Sequence, residues 1–257
     1  MRRVVIYPEP GYEGARFTAE APNNWHLSNV ALVEGLKNAG YPVKIWPCEV
    51  DTRLDIGLAI DHPRYEAKIP DLAMCVNLEP PVVYPRFFDR LRGWPYKRIL
   101  TCCKPYVDDK RTFYSPFPIV RYEGKLGDHG KYLCAISSSN KRFEHKDALY
   151  ADRRKNYLSW GKDIDVYGWG WHEDVDIIAR CNYLGPVDNK IATLSKYKYA
   201  VVFENQIIDG FTTEKYWDCL QAGTTPLYRG SIPDYPMEDA LPQAWAGRIV
   251  KHLAEIG

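Results

Sequence analysis

Three kinds of pattern are absent or almost absent from this sequence of 257 residues. No apolar run approaches the ~20 residues of a membrane-spanning helix, and the run that follows Met1 is too short to predict a signal peptide. The 34 basic and 33 acidic residues leave a net charge of +1, so neither nucleic acid nor an anionic membrane is a predicted partner. The seven cysteines include no C-x-x-C pair of the kind that binds zinc.

The cysteines that are present indicate thiols rather than disulfides. Their number is odd, and most lie in apolar runs such as Leu133-Cys134-Ala135. We therefore expect buried free thiols, which pack as small apolar side chains. Because thiols persist in reducing compartments, this usage predicts a cytoplasmic location.

The first half of the chain alternates predicted strands with a helix. An apolar strand at Val4–Tyr7 is followed by an amphipathic helix over Leu27–Asn38 and by another strand from Val43. This order is typical of the start of a Rossmann-like domain. Further strands are predicted over residues 56–60, with a short helix as the alternative there, and over residues 72–78 and 98–102.

A glycine-rich run, EGKLGDHG, at residues 123–130 predicts a linker between two halves. We expect one Rossmann-like domain over residues 1–124 and a second over residues 131–257. The elements predicted in the second domain are strands from Lys131 and Ile164, helices over 146–160, 190–195 and 244–256, and a loop at 184–186. The predicted fold class is α/β.

The stretch Tyr197–Gly230 carries most of the polar side chains that suggest chemistry. A short strand ends before Glu204, and Thr213 with Glu214 predicts the N-cap and first turn of a helix. Open α/β sheets bind ligands at the carboxyl ends of their strands, and helix N-termini attract anions. Lys215 adds a positive charge, while Glu214 can accept hydrogen bonds from hydroxyl groups. The pattern favours a phosphate and sugar site; the alternative is a capped helix with a surface Glu-Lys pair.

The same stretch resembles the alpha-1,3-fucosyltransferase family of inverting, nucleotide-sugar-dependent enzymes. The matching pieces are Tyr197-Lys198-Tyr199, Phe203-Glu204-Asn205, Thr213-Glu214-Lys215 and Ala222-Gly223. Similarity extends over residues 131–235 and is thin before them. The resemblance implies a GT-B arrangement, in which two Rossmann-like domains face a cleft. It also implies transfer of fucose from GDP-fucose to a hydroxyl of a glycan acceptor.

The resemblance further implies roles for particular residues. Lys215 and an arginine of the predicted helix over residues 146–160, Arg153 or Arg154, would hold the donor diphosphate. Glu214 would contact donor hydroxyls and face the positive charge that develops on the sugar, which makes it a catalytic residue. The remaining donor-binding positions are Asn140, Asn205, Phe211 and Thr213. For Phe211, packing at the entrance of the helix is the alternative.

The base that takes the acceptor proton is expected in the first domain. Glu79 follows a predicted strand and precedes a proline, as the catalytic glutamate of the resembled family does. Glu9, in the motif Pro-Glu-Pro, is the rival candidate, and His26 is a third. We predict Glu79 as the catalytic base.

No metal site is predicted. The pairs Asp163/Asp165 and Asp174/Asp176 satisfy a D-x-D pattern, but such spacing is common, and Lys and Arg are available for the diphosphate. No cofactor is required by this interpretation, although stimulation by a divalent cation stays open. Two other functions stay open as well: transfer from a different nucleotide sugar, and non-catalytic binding of a nucleotide sugar or glycan. The sequence gives no oligomeric state.

Overall fold

A computed structural model describes residues 1–8, 27–61, 68–141 and 144–257. The chain forms two compact α/β units. The first contains Met1–Val120, Ile208–Phe211 and Pro233–Gly257, and the second contains Arg121–Ile207 and Thr212–Ile232. The chain therefore passes between the units several times rather than once.

The first unit is built on a parallel sheet of six strands in the order β2-β1-β3-β4-β5-β6. Its central strands are nearly continuous runs of apolar residues, because both faces of a parallel sheet are covered. Helices α1 (Leu27–Asn38) and α2 (Pro85–Asp89) belong to this unit. The strands are β1 (Val4–Tyr7), β2 (Val43–Ile45), β3 (Ile56–Ile60), β4 (Leu72–Asn77), β5 (Arg98–Thr101) and β6 (Thr112–Tyr114).

The second unit is built on a parallel sheet of five strands in the order β11-β10-β7-β8-β9. Strand β10 lies between β11 and β7 and runs parallel to both. Its carboxyl end therefore lies at the edge of the sheet where parallel α/β sheets bind ligands. The strands are β7 (Lys131–Ser139), β8 (Asp165–Trp169), β9 (Asn182–Gly185), β10 (Tyr197–Phe203) and β11 (Thr225–Arg229). The helices are α3 (Tyr150–Trp160), α4 (Val175–Arg180), α5 (Lys190–Leu194) and α6 (Glu214–Gln221).

The last helix, α7 (Pro242–Ala254), belongs to the first unit, which corrects the predicted extent of the second domain. Its buried residues Trp245, Ile249 and Leu253 share a core with Leu32 and Leu36 of α1. The apolar spacing of α7 predicts a helix correctly. It does not tell which sheet the helix covers, because that depends on contacts between distant parts of the chain.

Two local elements differ from the prediction. The predicted loop at residues 184–186 is wrong for its first two positions, because Leu184 and Gly185 end strand β9 at the edge of the sheet. Helix α4 was not predicted; it is capped by Asp174, whose side chain accepts a hydrogen bond from the Ile177 amide. A short edge strand and a six-residue helix bury little apolar surface, so their sequence periodicity is weak.

The thiol prediction is confirmed for the cysteines themselves. All seven are free, and all but the half-buried Cys48 are buried. Burial raises the pKa of Cys75 and Cys102 well above the usual thiol value. Within the described ranges, no helix is both long and apolar enough to cross a bilayer.

Candidate functional site

The side chain of Glu204 forms the base of a polar cluster at the carboxyl end of β10. It is fully enclosed, with none of its side-chain surface exposed. One carboxylate oxygen accepts from the Thr213 amide at 2.9 Å, and the Tyr228 hydroxyl donates to the same oxygen at 3.2 Å. The Lys215 ammonium lies 3.1 Å from the other oxygen. These hydrogen bonds satisfy the buried carboxylate and fix the groups around it.

Thr213 joins this carboxylate to the start of α6. Its hydroxyl donates to Glu204 at 2.9 Å and accepts from the Lys215 amide at 3.4 Å, which is the N-cap interaction that the sequence predicts. The Lys215 ammonium also donates to this hydroxyl at 2.8 Å. Lys215 therefore bonds to a buried partner directly after β10, which differs from the alternative of a surface pair with Glu214.

A second pair of charges extends the cluster along α6. Lys190 of α5 places its ammonium 2.8 Å from Asp218 and 3.3 Å from Glu214. Lys215 lies 3.8 Å from the same Glu214 oxygen. We call the five residues Glu204, Lys215, Glu214, Lys190 and Asp218 the charge cluster; acidic and basic groups alternate through it in that order.

The charge cluster shifts the ionisation of its members. Burial opposes ionisation of Glu214, but the positive charges of Lys215 and Lys190 outweigh it and lower the pKa from 4.5 to about 2. Burial disfavours the charged form of Lys190 too, yet Asp218 and Glu214 raise its pKa. Burial raises the pKa of Asp218. At neutral pH, Glu214 is thus an ionised acceptor whose side chain is 34% exposed.

The structure distinguishes the two arginines of α3. Arg154 binds Asp174 through two nitrogens at 2.6 and 2.9 Å and also pairs with Asp176. Arg153 is buried, and its guanidinium lies over the rings of Tyr150 and Trp171. Arg154 thus serves two carboxylates, and Arg153 stays the predicted diphosphate contact.

The two predicted asparagines both follow strands of the second sheet. Asn140 comes directly after β7, where its amide donates to the Trp169 carbonyl at 2.8 Å. Asn205 lies two residues beyond β10, and its carbonyl accepts from the Leu149 amide at 3.0 Å. Both are half-buried at the carboxyl edge of the sheet, as the motif predicts.

Phe211 belongs to the first unit. Only 1% of its surface is exposed, and it packs in a core with Phe87, Phe88 and Tyr96. The neighbouring Gly210 has a φ of +81°, and a Cβ there would meet the side chains of nearby residues. Close packing thus fixes this turn, and the Phe211 ring is a core side chain of the first unit.

Glu79 lies two residues beyond β4 in the first unit, where it is half-buried. The chain just before it is held by Asp61, a buried residue that accepts from the Leu78 amide at 2.7 Å and from the Asn77 side chain at 3.3 Å. Glu79 thus stands at a strand end with defined backbone contacts, as expected for the predicted base. Glu9 and His26 lie outside the described residues.

Three of the four aspartates of the D-x-D patterns, Asp165, Asp174 and Asp176, are engaged with protein donors. Asp165 accepts hydrogen bonds from Lys131 and from Tyr197 and Asn182. Asp174 and Asp176 bind Arg154. Over the described ranges, no group of three or more His, Cys, Asp or Glu side chains has a metal-binding arrangement.

Sequence reasoning missed three members of the site. Asp218 lies four residues after Glu214, a spacing that puts both on one face of α6 and could have marked it. Lys190 and Tyr228 come from other elements, and no local pattern connects them with α6. Glu204 was noted as a polar strand end, but its enclosure beneath Lys215 was not predicted.

Residues 130–244 match the family model described as "Glycosyltransferase family 10 (fucosyltransferase) C-term". This segment is similar to the C-terminal domain of that family and makes up less than half of the chain. The resemblance given by the motifs at 131–235 is thereby confirmed, as is the glycosyltransferase class. The charge cluster lies entirely within the matched segment.

Solved structures confirm the fold class. A crystal structure of alpha1,3-fucosyltransferase with GDP is similar over 98% of this chain and 78% of its own, with a TM-score of 0.50 and 15% identity. An alpha-glucosyltransferase in complex with UDP and DNA gives a TM-score of 0.51 at 10% identity, covering 99% of this chain and 90% of its own. At such identities the likeness shows the fold alone, which is GT-B with two Rossmann-like domains.

Curated relatives match only a short segment. GDP-fucose protein O-fucosyltransferase 3 of Rattus norvegicus is 45% identical over 38 residues, which is 15% of this chain and 8% of the relative. The human protein of the same name is 42% identical over 38 residues. The chain thus spans about 8% of the length of these relatives.

Proposed function

We propose that this protein is an inverting glycosyltransferase that transfers fucose from GDP-fucose to a hydroxyl group of a glycan. The observation that carries the proposal is Lys215, which is anchored on buried Glu204 at the N-terminus of α6, inside the segment that matches the family 10 model. An ammonium group and free helix amides are the groups that bind a diphosphate. Glu214 supplies an ionised acceptor for sugar or ribose hydroxyls beside them.

The proposed reaction assigns a role to each group. The acceptor oxygen attacks the anomeric carbon of fucose while the bond from that carbon to the diphosphate oxygen breaks, and GDP leaves. Glu79 takes the proton of the acceptor hydroxyl. Lys215 and Arg153 stabilise the negative charge on the leaving diphosphate, and Glu214 faces the positive charge that develops on the sugar.

Donor binding is the first test. Calorimetric titration would compare GDP, GDP-fucose, GDP-mannose, UDP and UDP-galactose on the wild type and on Lys215→Ala. We expect selective binding of guanine nucleotides, lost in the variant. Lys198→Ala, which removes an exposed lysine from β10, is the matched control. Circular dichroism would show whether the variants are folded. If Lys215→Ala unfolds because buried Glu204 has lost its charged partner, Lys215→Arg, which keeps the charge, takes its place.

Each result separates the proposal from an alternative. Preference for UDP would mean that the donor carries a sugar other than fucose. The similarity to an alpha-glucosyltransferase in complex with UDP is the reason to include this compound. Absence of binding to all five compounds would contradict the donor assignment. Tight binding with no turnover of GDP-fucose on any acceptor would support a non-catalytic binding protein instead.

The acceptor forms a separate question. The similarity to a GDP-fucose protein O-fucosyltransferase favours a hydroxyl group of a protein as a second candidate beside a glycan hydroxyl. Release of GDP from GDP-fucose would be measured with a panel of oligosaccharides and with a panel of folded protein domains. Glu79→Gln should abolish release with every acceptor that works, because the same base is used.

A further inference from the structure

Lys190 is the one member of the charge cluster that comes from α5 rather than from β10 or α6. Its ammonium bridges two carboxylates that lie four residues apart on one face of α6, at 3.3 Å from Glu214 and 2.8 Å from Asp218. Two like charges at this spacing repel each other. A cation between them turns that repulsion into two attractive contacts.

The other charged groups around Glu214 make this bridge necessary. Lys215 on its own helix lies 3.8 Å away, but it is also bonded to buried Glu204 at 3.1 Å. Glu204 and Asp218 add two negative charges near Glu214. Without Lys190, three carboxylates would share a single ammonium group. Lys190 is also the closer of the two ammonium groups to the Glu214 carboxylate, at 3.3 Å against 3.8 Å for Lys215.

We propose that Lys190 is a positioning residue, which holds the Glu214 carboxylate charged and in place by bridging it to Asp218. The proposal deepens the function proposed above and rests on it for the role of Glu214 toward the donor. Lys190 acts through Glu214 and is not assigned a contact with the substrate. Asp218, which is 8% exposed, serves as the fixed end of the bridge.

The direct test is the carboxyl titration of Glu214, followed by carbon-13 NMR in the donor-free protein and assigned with Glu214→Gln. Lys190→Met should raise the titration midpoint of Glu214 by about one pH unit or more, since a cation within 4–6 Å lowers a carboxyl pKa by roughly that amount. Lys190→Arg keeps the charge and should restore most of the wild-type value. Lys198→Met, an exposed lysine on β10, is the control and should change nothing.

Asp218→Asn should not raise the titration midpoint of Glu214, in contrast to Lys190→Met. It removes a negative neighbour of Glu214, so the midpoint should stay or fall. A general loosening of α6 would instead raise the midpoint in Lys190→Met and Asp218→Asn alike, and that outcome would overturn the proposal. An unchanged midpoint in folded Lys190→Met would overturn it as well. If that variant does not fold, Lys190→Gln and the Arg variant decide by the same comparison.

Turnover of GDP-fucose separates this proposal from the proposed function. If both hold, Lys190→Met lowers kcat with GDP-fucose and Lys190→Arg restores most of it, in parallel with the NMR midpoints. If the wild type neither binds GDP-fucose nor releases GDP, the proposed function fails, while the titration still decides whether Lys190 controls Glu214. A kcat that stays unchanged in Lys190→Met while the midpoint moves would reject the catalytic part of the inference.

Discussion

The ammonium of Lys215 lies 3.1 Å from the enclosed carboxylate of Glu204, although 11 residues separate the two along the chain. The strand end supplies the anion, the helix start supplies the cation, and Thr213 bonds to both. The contact fixes how the N-terminus of α6 is presented at the edge of the sheet. A positive charge that is held in one place before a ligand arrives loses little entropy when it binds.

Removing the Glu204 charge should destabilise the protein. Glu204→Gln leaves the largely buried Lys215 without its nearest charged partner, and breaking a buried pair costs about 3 kcal/mol. Urea denaturation would measure the loss. Glu34→Gln, at an exposed position of α1, is the control and should cost almost nothing. An equal stability for both variants would contradict the structural role of Glu204.

The hydroxyl of Thr213 should matter more than its size. Thr213→Val keeps the shape but loses the N-cap bond and the bond to Glu204, so we expect a loss of about 1–2 kcal/mol in the free energy of unfolding. Thr213→Ser keeps the hydroxyl and should retain most of the stability. Thermal denaturation of the two variants side by side would show the difference; similar losses would mean that packing dominates.

The two arginines of α3 should separate into a structural and a binding role. Arg154→Gln breaks the pair with buried Asp174 and should lower the free energy of unfolding by about 1–3 kcal/mol. This is less than for a fully buried pair, because the Arg154 side chain is 31% exposed. Arg153→Gln should lower the affinity for GDP at least tenfold more than Arg154→Gln does. Calorimetry and urea denaturation on both variants measure the two effects. A larger affinity loss in Arg154→Gln would reverse the assignment.

Acid should weaken the first unit through Asp55. Hydrogen bonds from Arg3 at 2.6 and 2.9 Å lower its pKa from 3.8, even though burial opposes this. A carboxyl with a depressed pKa stabilises the fold fully above the unfolded value, and that contribution is lost as the pH falls through the folded value. The melting temperature of Asp55→Asn should thus fall less than that of the wild type below pH 4. Parallel curves would show that the pair adds no pH-dependent stability.

The assignment of α7 to the first unit predicts where a mutation acts. Ile249→Ala removes a fully buried side chain from the core shared with Leu32 and Leu36, which costs about 2–5 kcal/mol. Hydrogen exchange should then accelerate in β1 and β3 rather than in β10 and β11. Ile232→Ala, at a position that is 75% exposed, is the control. Faster exchange confined to β10 and β11 would contradict the assignment.

Much of the local structure could be predicted because its cause is local. Strand β1 and helix α1 occur at the predicted bounds, since a short apolar run and an apolar face at helical spacing decide them. The N-cap at Thr213 and the polar end of β10 were also evident from residue types and order. These features need only neighbouring residues, and the family resemblance was carried by the same short motifs.

The tertiary structure decided which distant groups meet. The sequence marked Lys215 and Glu214 but gave no sign that Glu204 would lie enclosed beneath Lys215 or that Lys190 would bridge Glu214 to Asp218. It predicted the last helix but not the sheet that the helix covers. Such pairings depend on how strands and helices pack once the chain has folded. The sequence by itself therefore determined the elements and the residue types of the site, and packing alone determined their partners.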